Sequence, residues 1–144
     1  MEKDAARAAQ IFEEACHRAT DDDDVDAEEN QSHACALLGA LYLTGNGVKK
    51  DLNSGRELSE QACEGNDAFG CFNAAQIYAS GLGVDADPGA AARFYDTACE
   101  SEDGESCYEL ARLYEEGRGV ERNADRAAEL MRRACKLGFQ NSCK

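Results

Sequence analysis

The sequence is short of several things. It has two histidines and a single proline in 144 residues, and only 15 lysines and arginines against 29 aspartates and glutamates. With histidine only at His17 and His33, no His-Glu-x-x-His metalloprotease helix can be written. The basic deficit leaves a formal net charge of −14. Such a field opposes nucleic acid and anionic membrane surfaces, and it favours solubility and basic partners. No apolar run approaches the ~18 residues of a membrane-spanning helix. None of the eight cysteines forms a Cys-x-x-Cys pair, the commonest spacing for zinc or thiol-redox chemistry. No serine has lysine three residues on, so the Ser-x-x-Lys signature of β-lactamases is missing.

What is present is a period. The stretch Ser32 to Asp67 returns twice, each time shifted by 36 residues. Cys35 recurs as Cys71, Cys107 and Cys143, and Tyr42 recurs as Tyr78 and Tyr114. Gly45-x-Gly47-Val48 recurs as Gly81-x-Gly83-Val84 and Gly117-x-Gly119-Val120. Ala62-Cys63 recurs as Ala98-Cys99 and Ala134-Cys135. A fixed period of this length means stacked supersecondary units rather than one mixed core. The 43% hydrophobic content is enough for a continuous core along such a stack.

Each unit reads as two helices. Leu38, Leu41 and Tyr42 have the i, i+3, i+4 spacing of one helix face, and the later copies place Ala74, Ile77, Tyr78 and Leu110, Leu113, Tyr114 there. In the second half Leu52, Gly55, Leu58 and Ala62, then Pro88, Ala91, Phe94 and Ala98, are the expected core positions. Asp51, Asp87 and Asn123 stand where an N-cap belongs, and Pro88 falls at the first helical position, where its missing N–H is harmless. The glycines between the halves suit a helix end with positive φ and a tight reversal. They do not read as a phosphate cradle: they follow a helix, and no third glycine or Lys-Ser/Thr completes that motif.

The pattern Cys-x-x-Leu/Ala-Gly/Ala-x-Leu/Ile-Tyr-x-x-Gly-x-Gly-Val, followed by Asp and Ala-Cys, resembles the Sel-one-like repeat. The regular cysteines resemble its disulfide-linked subgroup, the bacterial cysteine-rich repeat proteins. The resemblance covers nearly the whole chain. It implies an all-α fold, an α/α solenoid of tetratricopeptide-related helix hairpins wound as a right-handed superhelix.

In that frame residues 1–144 form one repeat domain. Residues 1–19 read as a second helix without its first, because Asp4 to Cys16 matches Asp51 to Cys63. Repeats follow at 32–67, 68–103 and 104–139, and residues 140–144 begin a further first helix. The expectation is a piece of a longer array, with an export signal outside it. Residues 20–31 are an acidic insert that makes the Cys16–Cys35 junction 11 residues longer than the later ones. The run from Asp21 to Glu29 predicts a solvated, mobile loop. It lacks the central glycine and alternating ligands of a calcium-binding EF-hand.

Eight regularly placed cysteines read as a disulfide framework, hence an oxidising compartment, secreted or periplasmic. The repeat leaves two pairing schemes open. One joins each second helix to the next first helix: Cys16–Cys35, Cys63–Cys71, Cys99–Cys107 and Cys135–Cys143. The other joins Cys35–Cys63, Cys71–Cys99 and Cys107–Cys135, leaving Cys16 and Cys143 over. The family resemblance implies the first. Cys16, His17, His33 and Cys35 also compose a zinc-like set, but later repeats lack the histidines, which favours a disulfide beside two surface histidines.

With the cysteines paired there is no thiol nucleophile, and no metal or cofactor is expected. The function expected is a non-catalytic scaffold binding a protein or peptide, with basic partners favoured. Some cysteine-rich relatives are described as penicillin-binding proteins or weak β-lactamases, which the resemblance makes the alternative. The candidate partner-binding residues are the outward positions of the first helices, where the copies differ: Ala36, Leu37 and Ala40; Phe72, Asn73 and Gln76; Tyr108, Glu109 and Arg112. Stacked helix pairs present these helices on a concave side. Phe72 and Tyr108 read as exposed aromatic anchors.

Overall fold

The computed structural model describes residues 2–18 and 25–143. Among the described residues there are seven α-helices and no strand. They are α1 (Glu2–Cys16), α2 (Val25–Thr44), α3 (Leu52–Glu64), α4 (Ala68–Ser80), α5 (Pro88–Glu100), α6 (Gly104–Glu116) and α7 (Ala124–Lys136), with a final 3-10 turn at Gln140–Ser142. This is the all-α helical repeat that the periodicity predicts. The contacts divide the chain into two units, Met1–Asn73 and Ala74–Lys144, with the boundary inside α4.

Local chemistry starts each second helix where the sequence indicates. The side chains of Asp51, Asp87 and Asn123 accept hydrogen bonds from the backbone N–H of Ser54, Ala90 and Arg126 at 3.0–3.1 Å. The Ser54 N–H and hydroxyl hold the Asp51 carboxyl below its ordinary value. The first helices have caps of their own: Asp67 accepts from the Gly70 N–H and Asp103 from the Ser106 N–H and hydroxyl.

The two glycines of each loop do different work. Gly45, Gly81 and Gly117 have φ between 66° and 73°, and Gly47, Gly83 and Gly119 between 74° and 79°. Gly47 and Gly119 also lie against another helix. A Cβ at Gly47 would come within 2.3 Å of the Ala5 carbonyl carbon, and one at Gly119 within 2.3 Å of that of Pro88. Ala5 and Pro88 are the first residues after Asp4 and Asp87, so the contact falls in one register in both units despite the longer first junction.

The core is built from small residues. Leu38, Ile77, Leu110 and Leu130 are its most deeply buried large aliphatic members, each at most 2% exposed. Burial of such a side chain contributes roughly 1.5–3 kcal/mol. Around them Ala62, Ala74, Ala91, Ala98, Ala111 and Ala134 are completely buried. Where α2 crosses α3, Gly39 meets Gly55 and Ser59, and a Cβ at Gly39 would lie 3.1–3.2 Å from their atoms. Ser59 is fully buried and donates its hydroxyl to the Gly55 carbonyl at 2.8 Å. The sequence reading omits this position from the core, because serine there, tyrosine at Tyr95 and methionine at Met131 share no hydropathy.

Four disulfides join the ends of the helices: Cys16–Cys35, Cys63–Cys71, Cys99–Cys107 and Cys135–Cys143. No cysteine is free. The zinc-like set is thereby resolved, since Cys16 and Cys35 are bonded to each other. His17 Nδ1 lies 3.0 Å from the Glu13 carbonyl, and His33 Nδ1 lies 3.0 Å from an Asp67 carboxylate oxygen.

Two expectations are corrected. Residues 25–31 are not a loop; they are the first turns of α2. Glu28 and Glu29 sit near the positive end of that helix, where acidic side chains are stabilising. Gln31 donates its side-chain amide to the Cys16 carbonyl at 2.7 Å. The rest of the predicted insert, 20–24, lies outside the described residues. The second correction is Ala36, which is fully buried beside Cys16, Cys35, Ala34 and Ala62 rather than outward.

Candidate binding surface and cleft

The remaining outward candidates are not equally accessible. On α2, Leu37 and Ala40 are half-buried. On α4, Gln76 is exposed, whereas Phe72 and Asn73 are half-buried. The Asn73 amide nitrogen is buried and has no hydrogen-bond partner among the described residues. On α6 three candidates meet. The Arg112 guanidinium lies 6.0 Å above the Tyr108 ring and 3.6 Å from the Glu109 carboxylate, with Glu116 at 3.9 Å. Burial pushes the Glu109 carboxyl above its ordinary value, Arg112 offsets part of that, and Glu105 and Glu116 add to it. Tyr108 is not a free anchor: its ring packs on Phe139 with centroids 4.9 Å apart.

Behind α6, Tyr95 of α5 is almost fully buried. Burial raises its phenol, with the charges of Glu109 and Glu105 adding to the effect. The α6 group is thus an internally paired patch over a buried tyrosine.

A second feature lies in the first unit, where Leu38, Tyr42 and Leu58, expected in the core, and His17, a member of the zinc-like set, meet four residues that carry no expectation. One face each of α1, α2 and α3 encloses an open cleft of about 260 Å³. Glu13 and His17 line it from α1, Leu38 and Tyr42 from α2, and Ser54, Glu57, Leu58 and Gln61 from α3. These sets follow i, i+4 or i, i+3, i+4, i+7 spacing, so each is a single helix face. Leu38 is buried and Leu58 half-buried, giving an apolar floor, while both carboxylates are exposed.

The second unit repeats these positions with different chemistry. In repeat register, Asp96 stands for Glu13, Arg126 for Ser54, Glu129 for Glu57 and Arg133 for Gln61. There Arg126 reaches Asp96 at 3.9 Å and Glu129 at 3.2 Å. Arg133 donates to the Glu100 carbonyl at 3.5 Å. Two arginines therefore bridge α7 to α5. Among the described residues no ion pair joins α3 to α1. The signal was in the sequence, as Ser54 against Arg126 and Gln61 against Arg133, but only an across-helix comparison exposes it.

Comparison with known proteins follows the same repeat boundaries. The Sel1 repeat pattern matches residues 32–67, 68–103 and 104–139. Among solved structures, a Sel1 repeat protein from Oxalobacter formigenes superposes with a TM-score of 0.79 at 26% identity, over 98% of this chain and 56% of that one. Helicobacter pylori cysteine-rich protein B gives 0.74 at 28% identity, over 99% and 95% of the two chains. A protective antigen of uropathogenic Escherichia coli gives 0.75 at 25% identity, over 98% and 32%. No curated protein matches in sequence.

Proposed function

The chain belongs to the Sel1 repeat family, and from that premise we propose that it is a non-catalytic scaffold that holds a protein or peptide partner, outside the cytoplasm. The observation that carries this reading is the contrast between constant and variable positions of the repeat. Buried positions keep their character, as in Leu38, Ala74 and Leu110, or Ala62, Ala98 and Ala134. Surface positions in the same helices change chemistry, as in Ala40, Gln76 and Arg112. Such an arrangement holds a fold constant while varying what it presents. Among the described residues no helix is long and apolar enough to cross a membrane.

The compartment follows from sulfur chemistry. Four disulfides persist where thiols are not kept reduced, so the reading places the protein in a secreted or periplasmic setting. The net charge of −14 favours a basic partner and disfavours nucleic acid. On the surface, Gln76 and Arg112 are the exposed members of the candidate set; Leu37, Ala40, Phe72, Asn73, Tyr108 and Glu109 lie half-buried beside them on their own helices.

The test is affinity capture from an oxidising compartment, then a measured dissociation constant for each captured protein. Replacing Gln76 by alanine should weaken binding several-fold and leave thermal stability nearly unchanged; replacing Arg112 should weaken binding as well, at some cost in stability from the ion pair it makes with Glu109. Turnover of a chromogenic β-lactam by the purified protein would overturn the non-catalytic reading.

A further inference from the structure

The two units treat one place in the repeat differently. In the second unit a guanidinium, that of Arg126, lies between two carboxylates, Asp96 and Glu129. In the first unit the two corresponding carboxylates are Glu13 and Glu57, and the corresponding arginine is Ser54. The serine side chain ends short of the space an arginine would fill, and a cleft of about 260 Å³ remains between the helices. We propose that this cleft takes an arginine side chain from a partner, in the place that the second unit fills with its own Arg126.

The lining fits that occupant along its length. Leu38 and Leu58 offer apolar surface for the methylene stem, which long cationic side chains bury while keeping the charge near water. Tyr42 presents a ring edge or face beside the stem, and guanidinium groups stack on such rings. Glu13 from α1 and Glu57 from α3 both line the cleft, and carboxylates are the partners a planar guanidinium fork takes up. Gln61 also lines the cleft and has an amide oxygen to offer, at the register position of Arg133, which donates to a backbone carbonyl in the second unit. A neutral side chain of equal length would keep the stem contacts and lose the charge, so it should bind less well. This rests on the scaffold reading above and gives the basic partner a specific point of attachment.

The probe is a capped pentapeptide, Ala-Ala-Arg-Ala-Ala, set against its lysine and citrulline counterparts. Each is titrated into isotope-labelled full-length protein at low salt and followed by backbone amide NMR. The arginine peptide should move the resonances of Tyr42, Ser54, Leu58 and Gln61, the lysine peptide less so, and citrulline hardly at all. Raising the salt should weaken the effect, because the charges are near the surface. Ser54→Arg should fill the cleft from within and abolish the shifts. A second variant, Glu13→Gln with Glu57→Gln, keeps the shape and should lower the arginine affinity by about tenfold, as two charged partners are lost. Equal shifts with citrulline, or binding unchanged in both variants, would overturn the proposal. A captured partner that binds the Ser54→Arg protein at full affinity would overturn the cleft and leave the scaffold reading standing. Failure to capture any partner would count against the scaffold reading, while the peptide titration would still decide the cleft.

Discussion

The α-carbon of Gly119 is aimed at the backbone of Pro88 so closely that a Cβ there would fall 2.3 Å from the proline carbonyl carbon. Gly117, two residues earlier in the same turn, has a similar positive φ, but its Cβ would come no nearer than 3.3 Å to its neighbour Arg122. The two glycines therefore separate a conformational requirement from a steric one. Gly117→Ala should cost about 1–2 kcal/mol, the penalty of a left-handed residue with a side chain. Gly119→Ala adds a clash with backbone that has nowhere to move, and should cost clearly more. Denaturant midpoints of the two variants check the order, and equal losses would show that the contact with Pro88 is soft.

The turn that enters each first helix makes a different demand. Asn66, Glu102 and Gly138 occupy one register position, and all three have positive φ, at 62°, 70° and 95°. Asparagine and glycine adopt that conformation readily; glutamate does not. Glu102→Gly should therefore stabilise the protein, by about 0.5–1.5 kcal/mol after the entropy of glycine in the unfolded chain is subtracted. A higher denaturant midpoint with an unchanged slope is the expected result. Destabilisation would mean that the Glu102 side chain holds something this backbone argument ignores.

Legibility in the sequence tracked how local the physics was. Helix pairs, caps and loop glycines are decided within a few residues, so Asp51, Pro88 and Gly47 could be read directly. The helical state of residues 25–31 was hidden by composition: a run of acidic residues suggests solvated coil, yet acids at a helix start are favourable. Side-chain burial was less legible still. Ala36 and Phe72 share a register position, but one is fully buried and the other half-exposed. The cleft was least legible, because it depends on Glu13, Tyr42 and Gln61 meeting from three helices, and no window of sequence contains all three.

The corrected insert carries its own test. The loop reading predicts that residues 21–31 can be deleted with little change in melting temperature. The structure instead has Gln31 donating to the Cys16 carbonyl at 2.7 Å, beside a disulfide. Gln31→Ala should cost about 1 kcal/mol, the usual net worth of such a hydrogen bond. Glu28→Ala and Glu29→Ala, both exposed, should stay within about 0.5 kcal/mol. Three equal and negligible effects would return the whole segment to the role of a spacer.

The disulfides should differ in worth in a predictable direction. Cys99–Cys107 closes a separation of 8 residues and Cys16–Cys35 one of 19. Chain-entropy arguments give about 2.5 kcal/mol for the short loop and about 0.8 kcal/mol more for the long one. Replacing each pair by alanine and comparing midpoints under non-reducing conditions measures both. A larger loss at Cys99–Cys107 would mean that the native contacts around the bond, rather than the freedom of the unfolded chain, dominate.

Glu109 ties the surface patch on α6 to pH. Burial holds its carboxyl above the ordinary value; Arg112 works against that, and Glu105 and Glu116 reinforce it. The folded protein therefore keeps this proton to a higher pH than the unfolded chain does. The sign follows from linkage: the folded state is favoured below the unfolded value, and that advantage is lost as pH rises through the folded value. Glu109→Gln removes the charge while keeping the shape. The variant should be more stable than the parent at neutral pH, with the difference closing as the pH falls toward about 4, the ordinary range of a glutamate. Arg112→Ala should move the parent the other way, because it removes the cation at 3.6 Å that offsets the burial. Urea midpoints from pH 4 to 8 for the parent and both variants decide the matter. Parallel curves for parent and Glu109→Gln would show that the carboxylate is as well solvated in the fold as outside it.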